Sequence, residues 1–411
     1  MSQSAETGSF APRFLLALIL ALPLLSAPAG ADELERVVIL SRHNVRAPNA
    51  SAADLARYTG EAWPEFSAPR GQLTANGRAL EGLLGSYYHG VYQALLTAGK
   101  CDALYVHANV LERTKETGRA LAETLQPGCP VEVHTVGDDK ADPLFDAVSA
   151  GVAHPDYDLA LAAVTGRIGN DPAAWAKVHR GDLQALQDLI GNKGEPLAAV
   201  PSVLSRGEGG NLVKVEGPFA RASAVSESLL MAYADGLPLN HVTEERLIDA
   251  QAAHVLDLDM QLRAPYIGKV TASHLATRLL ATLQGQRDGI GEGKSRVVAI
   301  VGHDGTLLEL ASLLDLHWLL PGYQPDQVPP GGALRFELWK RGDGAEIVRL
   351  SFTAQSLSQM RERLPLTAEH PPATVPVFIP GCSEASPSYD CPLDRFAKKI
   401  GEAIDPAFTG R

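Results

Sequence analysis

The chain has 411 residues, 45% of them hydrophobic and 20% charged, and a formal net charge of −12. That composition is globular and ample for a large core, while so acidic a balance excludes nucleic acid or an anionic membrane surface as a partner. Beyond the N-terminus no segment approaches the roughly 20 continuous apolar residues of a membrane span.

At the N-terminus Arg13 precedes the apolar stretch Phe14 to Leu25, and Ala29-Gly30-Ala31 supplies a small-residue cleavage pattern. Residues 1–31 therefore read as a secretory signal peptide, with a mature protein that is soluble and not held in a membrane. Export suits the four cysteines, Cys101, Cys129, Cys382 and Cys391, since an even number in an oxidising compartment reads as two disulfides. Three pairings are possible. The nearest-neighbour one, Cys101–Cys129 with Cys382–Cys391, closes short loops and is preferred, and no CxxC spacing favours zinc.

The first predicted strand is Val37-Val38-Ile39-Leu40, apolar and β-branched as in a strand buried on both faces. It runs into Ser41-Arg42-His43-Asn44-Val45-Arg46-Ala47-Pro48, so two arginines and a histidine stand where the chain leaves the sheet. A Pro- and Gly-rich loop from Trp63 to Asn76 leads to a helix with Leu80, Leu83, Leu84 and Tyr87 on one stripe. Cys101 to Asn109 alternates as a second strand, and Glu112-Arg113-Thr114 then opens a periodic helix. Arg113 is a cation where the helix macrodipole prefers a negative group, so either it is simply tolerated there or an anion joins it. Val131 to Val136 reads as a short strand.

From about Pro143 to Leu262 the pattern is helical, with apolar spacing of three and four in Leu159–Val164, Ala173–Ile190, Ala222–Ala234 and Arg246–Leu262. Arg206 to Asn211 reads as a Gly-rich loop, and no alternating strand is expected here. The domain reading is thus an α/β part over 32–142, a helical insertion over 143–262 and the second α/β part over 263–411. A helix at Ala272–Leu283 precedes the run Gly289 to Ser295, which fails as a P-loop: Asp288 stands where the first Gly is required, and the run precedes a strand. Val297 to Val301 is that strand. It ends in Gly302-His303-Asp304-Gly305, and a helix follows. Leu334–Leu338 and Ile347–Phe352 flank Arg341-Gly342-Asp343-Gly344 as a hairpin.

Three strand-like runs end in reactive polar groups: Arg42, His43 and Arg46; Arg113; and His303 with Asp304. In a mostly parallel sheet flanked by helices those ends share one edge, where ligands bind. Three guanidinium groups, two imidazoles and a carboxyl suit phosphomonoester hydrolysis with no metal and no cofactor, the arginines and His303 holding the phosphoryl oxygens. His43 is then the nucleophile and Asp304 the proton donor, which predicts activity biased to acid pH. His107 and His134 lie within strands, while His89, His154, His179, His241, His254, His274, His317 and His370 share no ligand spacing; all are read as structural or exposed.

Arg42-His43-x-x-Arg46-x-Pro48 together with the later His303-Asp304 resembles the signature of the histidine acid phosphatases. Gly71-Gln72-Leu73-Thr74, Glu112-Arg113-Thr114, Pro127-Gly128-Cys129 and Cys382…Cys391 look like the bacterial periplasmic branch. The resemblance implies a phosphoglycerate mutase-like α/β fold with an inserted all-α domain, and a phosphohistidine intermediate on His43. It further implies Asp304 as proton donor, phosphate contacts from Arg42, Arg46, Arg113 and His303, and a periplasmic location. Asn44, where phytases of this family usually carry Gly, and Asp235, at a place where glucose-1-phosphatases have an acid guarding the pocket, resemble the glucose-1-phosphatases. They mark a substrate pocket for sugar phosphates, the plainer reading of Asp235 being an acid at a helix end. A phytase or broad acid phosphatase is the alternative within the family, and a non-catalytic phosphate-ester binding protein the alternative outside it. The expected partner is a small phosphate ester, with the chain a monomer or homodimer. Gly305-Thr306 departs from the Ser-Asn or Thr-Asn that the family usually shows after His-Asp.

Overall fold

All four residues of Val37-Val38-Ile39-Leu40 are fully buried, and their side chains alternate between two cores. Val38 and Leu40 join Leu275, Leu279, Leu307 and Leu310 on one face, and Val37 and Ile39 join Leu84, Tyr88 and Leu121 on the other. A strand covered by helices on both faces needs no polar side, which is why the run is continuously apolar. Each such side chain contributes about 1.5–3 kcal/mol on burial.

The protein is described from a computed structural model, which covers residues 30–410 and, ahead of them, residues 1, 2, 4 and 8. The expected signal peptide, with Arg13 and Phe14 to Leu25, lies outside the described residues. Strand β1 (Gly30–Arg42) leads to helices α1 (Ala52–Thr59), α2 (Ala75–Val91) and α3 (Gln93–Gly99), strand β2 (Leu104–Ala108), helix α4 (Glu112–Leu125) and the short strand β3 (Val133–His134). Helices α5 (Tyr157–Arg167), α6 (Pro172–Val178) and α7 (Arg180–Ile190) precede strands β4 (Val203–Glu208) and β5 (Asn211–Glu216). Helices α8 (Pro218–Ala234), α9 (Glu244–Leu262) and α10 (Pro265–Leu283) come next. The remaining elements are β6 (Val297–Gly302), α11 (Asp304–Leu314), β7 (Ala333–Gly342), β8 (Glu346–Ala354), α12 (Leu357–Glu362), β9 (Ala373–Pro376), β10 (Cys391–Pro392) and α13 (Leu393–Ala403).

The main sheet has the order β10-β8-β7-β1-β6-β2-β3, with β9 on β8. β1, β6, β2 and β3 are mutually parallel; β7 lies antiparallel to β1, and β8 antiparallel to β7. The register Arg42↔Gly302 and Ala108↔Val301 brings the ends of β1, β6 and β2 level. This is the α/β class expected, and the β7–β8 hairpin lies where the turn residues place it. Both disulfides, Cys101–Cys129 and Cys382–Cys391, are formed, with Cα separations of 5.3 and 5.2 Å.

The region over 143–262 differs from the all-α expectation. β4 and β5 form an antiparallel hairpin with Glu208 paired to Asn211 across Gly209-Gly210. Its strands are half exposed and carry Ser, Arg, Lys and Glu, so no apolar alternation announces them, and the Gly pair reads as loop. Ala173–Ile190 is two helices, because the backbone turns at His179.

Candidate active site

The level strand ends build the site. The backbone N–H of His43 donates to Gly302 O at 2.9 Å, which continues the β1–β6 pairing one residue past the strand and sets His43 beside His303. Their rings meet edge to face with centroids 5.5 Å apart. On the other side of β6, Asn109 N donates to Val301 O, and the chain turns into α4 with Arg113 in its first turn. Arg113 Nη2 donates to His303 Nε2 at 3.0 Å and Nη1 to Gly71 O at 3.3 Å. The loop after His43 is held by α2, which approaches so closely that a Cβ on Gly77 would lie 2.1 Å from Val45 O.

His43 is 2% exposed, and its Nδ1 lies 2.8 Å from Asn44 O. A carbonyl only accepts, so Nδ1 carries the ring proton and Nε2 keeps its lone pair. Burial, then Arg42, Arg46, His303 and Arg113, hold its pKa well below the usual value. Burial, then Arg113, lower His303 to about 3. Both imidazoles are therefore neutral at mildly acidic pH. Burial and the two other arginines bring Arg113 down to about 10, still a cation.

Arg42 donates through Nη1 to Val328 O at 2.5 Å and through Nη2 to Glu227, and the same Nη2 lies 3.1 Å from Asp304 Oδ2. Arg46 Nη2 donates to Glu227 Oε1 at 3.2 Å. The Nε–H groups of Arg42, Arg46 and Arg113 are buried and find no acceptor among the described residues. Three orphaned donors on cations around one imidazole fit an anion, since each uncompensated donor costs on the order of 1–3 kcal/mol.

Asp304 is the first residue of α11, its Oδ1 accepting from Gly305 N at 2.9 Å. Burial alone would raise its pKa, but Arg42, His254 and His43 outweigh that and hold the carboxyl well below its usual range. The Thr306 hydroxyl accepts from His303 N at 3.3 Å, while a Cβ on Gly305 would meet only Leu262, at 3.6 Å. Room for a side chain beside the acid is present and unused.

The sequence reading brought Arg42, His43, Arg46, Arg113, His303 and Asp304 to one place, and the structure brings them together. Asn44 is a correction. Its side chain is fully buried and turned away from the pocket, Nδ2 donating to Glu81 at 2.9 Å and Oδ1 accepting from Val45 N at 2.8 Å. Burial pushes Glu81 up to about 8, and a Cβ on Gly331, at φ +70°, would press 2.7 Å from the Asn44 amide. Asp235 caps the end of α8 half buried and accepts from the Thr74 hydroxyl at 2.5 Å, tying α8 to the start of α2.

Two residues of the site were missed. Glu227 comes from α8 and His254 from α9, both buried, and His254 Nε2 lies 3.5 Å from Glu227 Oε2 and from Asp304 Oδ2. A signal existed: an acid on a helix buried along nearly its whole length demands a cation. The ligand-type atoms of Glu227, His254 and Asp304 lie within 4.8 Å of one another. Arg42 already contacts both carboxylates and Arg46 one of them, so the set is charge-matched to guanidinium and does not fit a divalent cation.

An uncharged imidazole with a free lone pair, ringed by guanidinium groups at a sheet's carboxyl edge, marks an enzyme that handles phosphoryl groups. The family model described as histidine phosphatase superfamily (branch 2) matches residues 33–193 and 241–353. Phytase AppA of Escherichia coli strain K12 is 32% identical, covering 95% of this chain and 98% of its own, and a Salmonella typhimurium glucose-1-phosphatase is 27% identical over 90% and 92%. A Hafnia alvei phytase in complex with tartrate superposes with a TM-score of 0.86 at 33% identity, over 93% of this chain and 99% of that one. The chain belongs to branch 2 of the histidine phosphatase superfamily and is a histidine acid phosphatase.

Proposed function

We propose that the enzyme hydrolyses small phosphate monoesters without a metal, through a phosphohistidine on His43. The observation that carries this is the Nδ1 contact to Asn44 O, which leaves Nε2 as the nucleophile amid Arg42, Arg46 and Arg113. Those arginines and His303 bind the phosphoryl oxygens, each Nε–H gaining the acceptor that the protein withholds. The Nε2 lone pair forms the bond to phosphorus as the ester oxygen leaves with a proton from Asp304. A bound phosphoryl group competes for Arg42, which frees Asp304 to take up that proton. In the second half water attacks phosphorus, the P–N bond breaks, and Asp304 receives the water's proton.

The sequence motif with Asn44 and Asp235 points to sugar phosphates such as glucose 1-phosphate. With the Asn44 amide turned inward, that preference rests on Asp235. Likeness to the phytases favours a second reading, inositol phosphates. Residues 143–262 are proposed as the inserted unit that closes the site, because they supply Glu227 and His254. A periplasmic location after removal of residues 1–31 is proposed too; among the described residues no helix is long and apolar enough to cross a membrane.

Phosphate release from p-nitrophenyl phosphate at mildly acidic pH, abolished in His43→Ala, tests the reaction; an unmutated protein that binds but releases nothing refutes it. The ratio of kcat/KM for glucose 1-phosphate and phytate then decides the substrate, and a strong phytate preference overturns the sugar-phosphate reading.

A further inference from the structure

His254 is buried on α9 with a carboxylate on either side of one ring nitrogen. At 3.5 Å, Nε2 is hydrogen-bonded to neither, and both Nε2 and Glu227 Oε2 lack a partner among the described residues. A movement of about half an ångström turns either contact into a normal hydrogen bond. On the far side of the ring, Nδ1 lies 2.9 Å from Ser223 Oγ of α8. Asp257, one turn along α9, is the next buried carboxyl beyond Ser223 and keeps an oxygen without a partner. Asp304, His254 and Ser223 thus form a line leading from the pocket into the protein.

We propose that His254 is a positioning residue for Asp304, holding the proton that the acid delivers to the leaving group and taking it back during hydrolysis of the phosphoenzyme. This rests on the phosphohistidine reading above. The groups facing His254 are Glu227 from α8, Asp304 from α11, Arg42 from β1 and Asp257 on its own helix. Burial alone would lower its pKa, yet Glu227 and Asp304 outweigh burial and Arg42 and raise it. As an imidazolium it carries one proton on Nε2, toward the carboxylates, and one on Nδ1, donated to the Ser223 hydroxyl oxygen.

With that imidazolium, Arg42, Arg46, Arg113 and His254 are four cations against the two anions Glu227 and Asp304. The excess of two positive charges equals the charge of a phosphomonoester dianion. The proton count closes over a cycle. The proton moves from His254 Nε2 to Asp304 and on to the leaving oxygen as the P–O bond breaks and the P–N bond forms. The attacking water's proton then returns to Asp304 and to His254 as the P–N bond breaks. A coupled pair sharing one proton stays competent up to the pKa of its more basic member, so His254 sets the alkaline limb of the pH profile.

The test measures kcat/KM, which reports the first phosphoryl transfer, for p-nitrophenyl phosphate and for glycerol 2-phosphate. The first leaving group departs with little help, whereas the second needs its proton. In His254→Gln the glycerol ester is expected to lose about tenfold more than the aryl ester, and its alkaline limb to move at least about one pH unit lower. Ser223→Ala, which keeps the imidazole, is expected to shift both in the same direction by less. Equal losses on the two esters, or an unmoved alkaline limb in both variants, would overturn the role of His254 while leaving the phosphatase reading intact. Inactivity of the unmutated protein on both esters would overturn that reading instead.

Discussion

The site has two halves that differ in origin. One is the sheet edge, where β1, β6 and the β2–α4 turn deliver Arg42, His43, Arg46, Arg113, His303 and Asp304. The other is the helical side, where α8 and α9 deliver Glu227 and His254. The edge half is positioned by backbone pairing, so each side chain inherits the register of its strand. The helical half is positioned by packing of long buried helices, and its charges are held by the charges of the first half. Substitutions at the edge are therefore expected to damage chemistry, and substitutions on the helices to damage stability and proton handling.

The largest expected effect lies at the edge. His43→Ala removes the proposed nucleophile and is expected to lower kcat/KM on p-nitrophenyl phosphate by about 10⁴-fold or more with the circular dichroism unchanged; a few-fold loss would break the comparison at its centre. Arg113→Ala, which deletes one cation of the proposed phosphoryl cradle, is expected to cost about 10²–10³ in kcat/KM.

On the helical side, Glu227→Ala leaves Arg42 and Arg46 buried with less counter-charge. Urea unfolding is expected to show a loss of about 3 kcal/mol. Burial and the neighbouring Asp304 would raise the pKa of that carboxyl, but Arg42, His254 and Arg46 outweigh them and keep it below its usual value, so it is an anion at every pH where the enzyme works.

The pH dependence of stability sharpens the difference. His43 and His303 are neutral in the fold because burial and the arginines depress their pKa, whereas the unfolded chain protonates them near 6.5. Their share of stability is thus intact above pH 6.5 and lost as pH falls toward about 3, the value for His303. The melting temperature is expected to fall over that window, and His303→Gln to flatten the fall; an unchanged slope would argue against the neutral imidazole.

The smallest effect is expected at Asn44. Asn44→Gly strips Glu81 of its partner and is expected to cost about 1–3 kcal/mol of stability. The preference between glucose 1-phosphate and phytate is expected to stay as it is.

The two halves also differ in how far they could be read from the chain. A strand followed by Arg42-His43, and another followed by His303-Asp304, are local patterns, and the parallel-sheet rule alone brings them together. Glu227 and His254 sit inside helices with no motif around them. Only the polar positions Ser223, Ser226, Glu227 and Ser228 on a buried helix, and Gln251, His254 and Asp257 at every third residue of the next, hint at a partner. Asn44 misled for the opposite reason. A residue next to His43 in sequence points to the other side of the backbone, into α2.

The bond from His43 Nδ1 ends on the main-chain oxygen of residue 44. Whatever amino acid stands at that position brings the same oxygen, so the choice of ring tautomer is insulated from mutation there. Substitution at this position is then free to adjust the packing beneath His43 without ever touching its Nε2.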